Sequence, residues 1–357
     1  MEQQIKKYES FNDLPADSQV LFDLGEKTSF DLSKGWFLLL EATVIRQTKE
    51  ICIFTFKKED TFLGIWPTLL LKRNKLGPKE IYSFTCFYSS LYQPLISPNL
   101  TTDNLTDCLK NISSITQADI LRFDIMDPTQ PSFGCHEQAL KKIGFKTDQF
   151  FCWGNWYLPV NNQTFSIYLQ SLPSRVRNTL SRRKKKFLAD GRGRLEIITT
   201  HDQLSTAINA WKKIYDASWK IPEPYPEFIP SLIRLCAAKG WLRLGIAYYD
   251  EEPIAAQLWI VSHDRAAIYK LAYDEKFANL SPGTILTAYL MQHAIDVDKV
   301  HEVDYLTGDD AYKKDWMSHR RERFGLIAYN PKSFWGLACM AKHIAGKIRK
   351  KILQSAK

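Results

Sequence analysis

The sequence has few of the short motifs that identify an enzyme class directly. Its seven cysteines are scattered without C-x-x-C spacing, and one would be left over if they paired. Its seven histidines form no H-x-x-x-H or H-E-x-x-H pair, and G-x-x-x-x-G-K-[ST] and G-x-S-x-G are both missing. These absences argue against a disulfide framework, a protein-held metal, a P-loop nucleotide site and a hydrolase nucleophile elbow.

Long apolar runs are also missing. No stretch approaches the ~18 residues needed to span a membrane, and Gly35–Leu40 is predicted to be a buried strand instead. The opening residues, Met1–Lys6, lack the apolar core of a signal peptide. Together with the unpaired cysteines, these features predict a reduced, cytoplasmic protein.

Positive charge exceeds negative charge in this chain. Lysines and arginines number 48 against 39 acidic residues, which gives a formal net charge of +9. The excess is concentrated in Arg175–Arg194 and in the tail. It predicts an anionic partner, either a phosphate-bearing small molecule, tRNA or lipid headgroups, and does not choose among them. DNA is not an expected partner.

The length of 357 residues allows two domains. A similar order of predicted strands and helices occurs twice. The boundary between the two stretches falls near Cys152–Trp156, where no Pro/Gly/Ser-rich linker is present. We therefore predict one lobe at 1–155, a second at 156–330 and a basic amphipathic tail at 331–357. The predicted strands of the first lobe are Trp36–Ile45, Ile51–Phe56, Phe62–Leu71, Ile81–Tyr88 and Ile120–Ile125.

Tyr269–Trp316 carries the most informative pattern. A strand to Tyr273, a helix that begins at Ser281-Pro282-Gly283-Thr284 and a second strand, His301–Leu306, follow one another as in a βαβ unit, or a relative with splayed strands. Ser281 suits an N-cap, Pro282 suits the first helical position, and Gly283 leaves the N–H groups of the first turn accessible. Such a helix end binds anions, although an ordinary capped helix would show the same residues.

Taken as a set, these residues resemble the acetyltransferase domain of the GNAT superfamily, in the subgroup of CelD-type polysaccharide-biosynthesis proteins. The matching residues extend over Phe151–Tyr329 and are Tyr269, Tyr273-Asp274, Ser281-Pro282-Gly283, Leu286, Asp304, Gly308, Asp309, Tyr312-Lys313 and Trp316. The resemblance implies an α/β (α+β) fold of two tandem GNAT-like lobes, each a mixed, mostly antiparallel sheet flanked by helices, with the first lobe degenerate.

The same resemblance implies transfer of an acyl group, acetyl above all, from acyl-coenzyme A to an amine or hydroxyl, without a metal. The donor phosphates would lie on Ser281, Pro282, Gly283 and Thr284. The superfamily's usual Gly-rich pyrophosphate loop is missing, and Leu280–Gly283 stands in its place. The acceptor, a small molecule related to sugars or polysaccharides, would lie between the lobes near Tyr88.

Related Fem-type transferases, which build peptidoglycan bridges, suggest further roles. Their basic helix holds substrate phosphates, which makes Arg175, Arg177 and Arg182 of the predicted helix Ser174–Asp190 candidates for substrate binding. A solvated basic face would look the same. An aminoacyl-tRNA-dependent transferase of this type is the alternative function, and a non-catalytic binding protein of a cell-envelope polysaccharide system is a third.

The catalytic candidates follow the second strand. A lysine after a Gly turn assists acyl transfer in the Fem-type relatives, so Lys313 is predicted to stabilise the oxyanion, with Tyr312 and Trp316 beside the substrate. The attacking amine must lose a proton, and the groups predicted to take it are Asp304, Asp309 and Tyr269. Lys313 could instead be a surface lysine, and the carboxylates could be structural ion pairs.

The tail after Ser333 alternates apolar and basic residues at helical spacing. Such a helix can lie on an anionic membrane, which would place the protein peripherally at the inner face. Packing of the same apolar residues onto the folded body is the alternative.

Overall fold

The computed structural model describes residues 3–46, 49–72 and 77–355. The strands are β1 (Gln3–Tyr8), β2 (Glu50–Lys58), β3 (Thr61–Lys72), β4 (Lys79–Ser83), β5 (Leu95–Ile96), β6 (Ile120–Met126), β7 (Lys146–Pro159), β8 (Gly193–Ile198), β9 (Leu242–Tyr249), β10 (Glu252–Ser262), β11 (Arg265–Tyr273), β12 (Glu302–Asp304) and β13 (His319–Tyr329). The helices are α1 (Gln19–Thr28), α2 (Lys34–Leu40), α3 (Thr102–Thr116), α4 (Pro131–Lys142), α5 (Phe165–Ser171), α6 (Ser174–Leu188), α7 (Leu204–Asp216), α8 (Phe228–Ala238), α9 (Pro282–Gln292) and α10 (Phe334–Ser355).

The chain divides into two compact units. Unit 1 comprises Met1–Cys152 and Glu322–Lys357, and unit 2 comprises Trp153–Arg321. The sequence-based division placed residues 322–330 in the second lobe and made 331–357 a separate tail. In the structure both segments belong to unit 1, because the end of β13 pairs with β6 and α10 follows directly.

Unit 1 is built on a sheet with the order β1-β2-β3-β4-β6-β13. The pairs are antiparallel except for β4 with β6, which are parallel. The predicted hairpin is confirmed as β2 and β3, whose tight turn holds Glu59 at a φ of 55°. Helices α3 and α4 cover a core of Phe54, Trp66 and Phe123.

Two predictions in unit 1 are corrected. Trp36–Ile45 is not a strand but α2 followed by a π-helical turn, Glu41–Ile45. The Ser33 hydroxyl accepts a hydrogen bond from the Trp36 N–H at 3.1 Å and so caps the start of the helix. The strand prediction failed because a short, fully buried apolar run has no periodicity that distinguishes a helix from a strand. The predicted strand Ile81–Tyr88 ends at Ser83, where the Thr85 N–H turns back to the Ser83 carbonyl at 2.7 Å.

The strands of unit 2 have the order β7-β12-β11-β10-β9-β8. Its pairs are antiparallel except for β11 with β12, which are parallel and connected through α9. The predicted strand–helix–strand unit is thereby confirmed. Helix α9 contributes Ile285, Leu286 and Leu290 to the core, which fixes the position of its first turn.

No helix in the described part of the chain combines the length and the apolar character that crossing a bilayer demands.

Candidate functional site

A cavity of about 470 Å³ lies in unit 2, where two parallel strands separate. β11 and β12 pair only between Arg265–Ala267 and Glu302–Asp304. β12 then ends because the Asp304 carboxylate accepts the Leu306 N–H at 2.6 Å and Leu306 takes a left-handed φ of 56°. β11 continues beside β10, so its Leu271 and Tyr273 line the cavity with no strand paired on the β12 side.

The first turn of α9 forms one wall of this cavity. Gly283 and Thr284 line it, and the first N–H groups of a helix have no acceptor within the helix. Ser281 precedes the helix in a left-handed conformation, with a φ of 55°, and its side chain makes no capping hydrogen bond. The predicted side-chain cap is therefore wrong, because this backbone conformation is not the extended one that an N-cap serine uses. The predicted anion-binding end remains accessible.

Gln257 of β10 holds that first turn in place. Its Nε2 donates to the Gly283 carbonyl at 3.0 Å and to Thr287 Oγ1 at 2.8 Å, while its Oε1 accepts from Trp259 Nε1 at 2.9 Å. Gln257 is fully buried and also lines the cavity. Sequence reasoning missed it, although a glutamine within the apolar strand Ile254–Val261 is a usable signal, since buried amides need partners.

Aromatic side chains supply most of the remaining wall, namely Trp219, Tyr273, Tyr305, Tyr312 and Trp316. Tyr305 and Tyr312 pack edge to face with ring centroids 5.7 Å apart. Burial raises the pKa of Tyr305 well above its usual value. The pKa of Tyr312 is raised as well, by desolvation and then by the Asp310 carboxylate, although 43% of the residue is exposed. Both hydroxyls therefore remain protonated at neutral pH and can donate a hydrogen bond.

Comparison with known proteins supports a specific fold. Residues 174–314 match the family model of the acetyltransferase (GNAT) domain. Among solved structures, FemX covers 92% of this chain and 97% of its own at 12% identity, with a TM-score of 0.63. A tandem GNAT protein of clavulanic acid biosynthesis covers 93% and 100% at 10% identity, with a TM-score of 0.52. The fold is a tandem GNAT fold.

A further structural relative of this GNAT fold is L-PGS from Bacillus licheniformis. It covers 84% of this chain and 89% of its own at 10% identity, with a TM-score of 0.50. Identities this low show a shared fold alone. No curated protein matches the sequence.

Five of the predicted site residues line the cavity of unit 2. They are Gly283, Thr284, Arg175, Tyr312 and Trp316. The backbone carbonyl of Trp316 accepts a hydrogen bond from the buried Tyr168 hydroxyl at 2.7 Å, which holds this end of the loop. Arg175 forms an ion pair with Asp315 at the cavity wall. Ser281 and Pro282 immediately precede the cavity-lining turn.

Lys313 is buried beneath the loop and is not among the cavity-lining residues. Its ammonium donates to the Thr307 carbonyl, to the Gly308 carbonyl at 3.3 Å and to Asp310 at 3.1 Å. Gly308 has a φ of 96°, and an added Cβ would lie 3.3 Å from the Lys313 ammonium. In this conformation Lys313 therefore fixes the loop that carries Tyr312.

The two predicted acid–base carboxylates are both engaged by arginines. Asp304 pairs with Arg321 and accepts from Asn155 Nδ2 at 2.5 Å. Asp309 accepts from Arg320 at 2.6 and 2.8 Å, and this hydrogen bonding lowers the pKa of Asp309. Asp304 and Asp309 thus form structural ion pairs, which was the alternative to an acid–base role. Their partners are arginines and not Lys313. Tyr269 lies at an irregularity of β11, where its register with β10 shifts.

The other basic candidates lie elsewhere on α6. Arg177 borders a second concavity of about 500 Å³ beside Lys184 and Lys185, whose floor includes Leu169 and Leu180. Arg182 is exposed, with its Nε donating to the Asn178 carbonyl at 3.3 Å. Within the described residues, Arg177, Arg182, Lys184 and Lys185 form no ion pair with a carboxylate.

Lys220 is a second residue that sequence reasoning missed. It follows Trp219 of the cavity wall, with its ammonium 5.8 Å from the centre of that indole. Burial, and next the charge of Lys270, lower the pKa of Lys220 to about 8. Lys270 itself pairs with Glu223 at 2.7 Å. Only the Pro-rich loop after Trp219 could have drawn attention to this lysine.

Tyr88 lies in unit 1, where it is buried and packs edge to face with the exposed Phe87. Across residues 3–46, 49–72 and 77–355, no group of three or more His, Cys, Asp or Glu side chains could hold a metal ion.

Proposed function

We propose that this protein is an acyltransferase whose acyl donor occupies the cavity of unit 2. The observation that carries the proposal is the cavity between the separated strands β11 and β12, closed on one side by Gly283 and Thr284 at the start of α9. The donor phosphates would bind the free N–H groups of this turn, favoured by the positive end of the helix dipole. We propose acyl-coenzyme A, acetyl-coenzyme A above all, as the donor.

The acceptor in this proposal is an amine or hydroxyl on a phosphate-bearing small molecule related to sugars or polysaccharides, as in the CelD-type subgroup. An anionic group on the acceptor is supported by the cations of α6, Arg177, Arg182, Lys184 and Lys185, which form no ion pair with a carboxylate among the described residues. The amine attacks the thioester carbonyl carbon, a C–N bond replaces the C–S bond, and the proton that the amine loses passes through a base to the leaving thiolate. The proposed site of action is the cytoplasm.

Coenzyme A binding to the Gly283→Val variant tests the donor site. An added Cβ at Gly283 meets Tyr273 at 3.4 Å, an ordinary contact, so Gly283→Ala is the matched control. The extra methyl groups of valine enter the cavity where the phosphates would approach. We expect coenzyme A to raise the melting temperature of the wild type and of Gly283→Ala, and to have little effect on Gly283→Val. Equal coenzyme A affinity in all three proteins would contradict the proposal.

An aminoacyl-tRNA-dependent transferase of the Fem type is the second candidate. It is favoured by Arg177, Arg182, Lys184 and Lys185 of α6, which lack carboxylate partners among the described residues and would suit an RNA backbone. In that case the wild type would not respond to coenzyme A, and ribonuclease treatment would abolish transfer from an aminoacylated tRNA pool. Transfer that survives ribonuclease would exclude this candidate.

A further inference from the structure

Helix α10 contacts unit 1 through one side only. Cys339 and Met340 pack against a small cluster on the sheet, formed by Ile120, Ile327, Tyr329 and Phe150. On the same side, His343 and Lys347 reach Asp148 at 2.6 and 2.7 Å. These contacts fix the rotation of the helix about its own axis and therefore determine which residues face solvent.

The solvent-facing side of α10 carries an apolar stripe whose side chains are exposed. Its members recur at spacings of three, four and seven residues, which places them on one side of a helix. We call this stripe the α10 face, and it consists of Phe334, Leu337, Ile344, Ile348 and Ile352. The exposed fractions of Phe334, Ile348 and Ile352 are 75%, 55% and 63%. Such a row of exposed large apolar residues is unusual for a water-facing helix, which normally presents polar side chains.

The charge around the α10 face has one sign. Between Pro331 and Lys357 the sequence contains seven lysines and arginines and no aspartate or glutamate. Lys342 and Arg349 are exposed, and neither forms an ion pair with a carboxylate of the described residues. Because like charges repel, a second copy of the same helix is a poor partner. A nucleic acid would satisfy the cations but would leave the isoleucines and leucine without an apolar partner.

We propose that the α10 face lies on the surface of an anionic lipid bilayer, with its apolar side chains among the acyl chains and the exposed Lys342 and Arg349 at the headgroups. A basic amphipathic helix of this kind binds in the plane of the interface. The 22 residues of α10 would extend roughly 33 Å along the membrane at about 1.5 Å per residue. The inference is independent of the proposed acyl transfer, because it uses no residue of the cavity.

The test is co-sedimentation of the full chain with vesicles. Phosphatidylcholine vesicles containing phosphatidylglycerol are compared with vesicles of phosphatidylcholine alone, at low salt and at ~1 M salt, where the screening length falls to ~3 Å. We expect the wild type to bind the anionic vesicles, and to be released by the high salt. An Arg349→Gln variant should bind about fivefold more weakly, the loss expected for one surface cation.

A double variant, Ile344→Gln with Ile348→Gln, examines the apolar contribution and should lose vesicle binding. Its matched control is Val20→Gln with Ile115→Gln, which replaces exposed aliphatic residues elsewhere in unit 1 and should bind as the wild type does. All four positions are exposed, so unchanged melting curves are expected and confirm that the proteins are folded. The proposal fails if the wild type ignores anionic vesicles at low salt, or if the double variant still binds them. It also fails if the double variant instead dissociates a dimer of the wild type.

Discussion

Replacing Gln257 with methionine should destabilise unit 2 more than any other single change at the cavity that conserves side-chain length. The substitution keeps the approximate volume of the side chain but removes an acceptor and a donor. Trp259 Nε1, which donates to Gln257 at 2.9 Å, is then a buried donor without a partner. An unsatisfied buried group costs about 1–3 kcal/mol.

The other two hydrogen bonds of Gln257 contribute less. Gly283 O and Thr287 Oγ1 lose the amide as a partner, but Thr287 Oγ1 still donates to Gly283 O at 2.9 Å. We assign about 0.5–1.5 kcal/mol to this loss, so the total is about 1.5–4.5 kcal/mol. Thr287→Val is the matched control. It removes one hydroxyl from the same cluster without leaving an indole unsatisfied, and should cost about 1 kcal/mol.

Urea unfolding followed by circular dichroism measures both variants. The slope of free energy against urea should stay unchanged, since the surface exposed on unfolding is the same. The reasoning would be refuted if the free energy of unfolding of Gln257→Met lay within about 0.5 kcal/mol of the wild-type value, because that difference is below the loss of even one ordinary hydrogen bond. So would a larger loss in Thr287→Val than in Gln257→Met.

A third variant, Gln257→Glu, adds a pH signature. Its carboxyl group can accept from Trp259, but only the protonated acid can also donate to the Gly283 carbonyl. Burial raises the pKa of a carboxyl group, so the folded variant binds more protons than the unfolded chain above the unfolded pKa of about 4.3. Its stability should therefore be closest to that of the wild type at acid pH and should fall as the pH rises.

Two lysine substitutions complete the set. Lys313→Met leaves the Thr307 and Gly308 carbonyls without their buried ammonium and should lower the free energy of unfolding by about 1–3 kcal/mol, whereas the exposed Lys314→Met should leave it nearly unchanged. Equal, small effects of the two substitutions would contradict this expectation. A fall in turnover of about a hundredfold at unchanged donor affinity would add the predicted oxyanion role. Because the pKa of Lys220 is lowered to about 8, the folded protein binds fewer protons than the unfolded chain between about pH 8 and about pH 10.4. The stability of the wild type relative to Lys220→Met should therefore rise with pH across this window. Parallel pH profiles of stability for the two proteins would contradict the lowered pKa of Lys220.

Local sequence patterns predicted the helices, the strands and the position of the candidate site better than they predicted the roles of individual residues. The hairpin of β2 and β3 and the start of α9 at Pro282 follow from turn and helix-start residues that act within a few positions. The strand predicted at Trp36–Ile45 failed because a short buried run has no polar side to mark its period. Gly283, Tyr312 and Trp316 were placed by their positions at element ends, where loops gather around a cavity.

What the sequence could not provide is the partner of each polar group. Asp304 is paired with Arg321 and Gln257 with Gly283, and both partners lie on other elements of the fold. Lys313 looks like a free ammonium in sequence, yet its acceptors are backbone carbonyls, which carry no sequence signature. A residue type indicates which chemistry is available, whereas only the folded arrangement shows whether that chemistry is already committed.

The early end of β12 has a consequence for how such a protein can diversify. Because β12 stops after three residues, the width of the opening is set by the pairing of Arg265–Ala267 with Glu302–Asp304 and not by the segment that follows. Exposed positions of the segment 305–316 can therefore change in sequence while the sheet that creates the opening stays intact, whereas the buried Lys313, Tyr305 and Trp316 are tied to the fold. The width of the opening and the side chains that line it are thus encoded largely in different stretches of the chain.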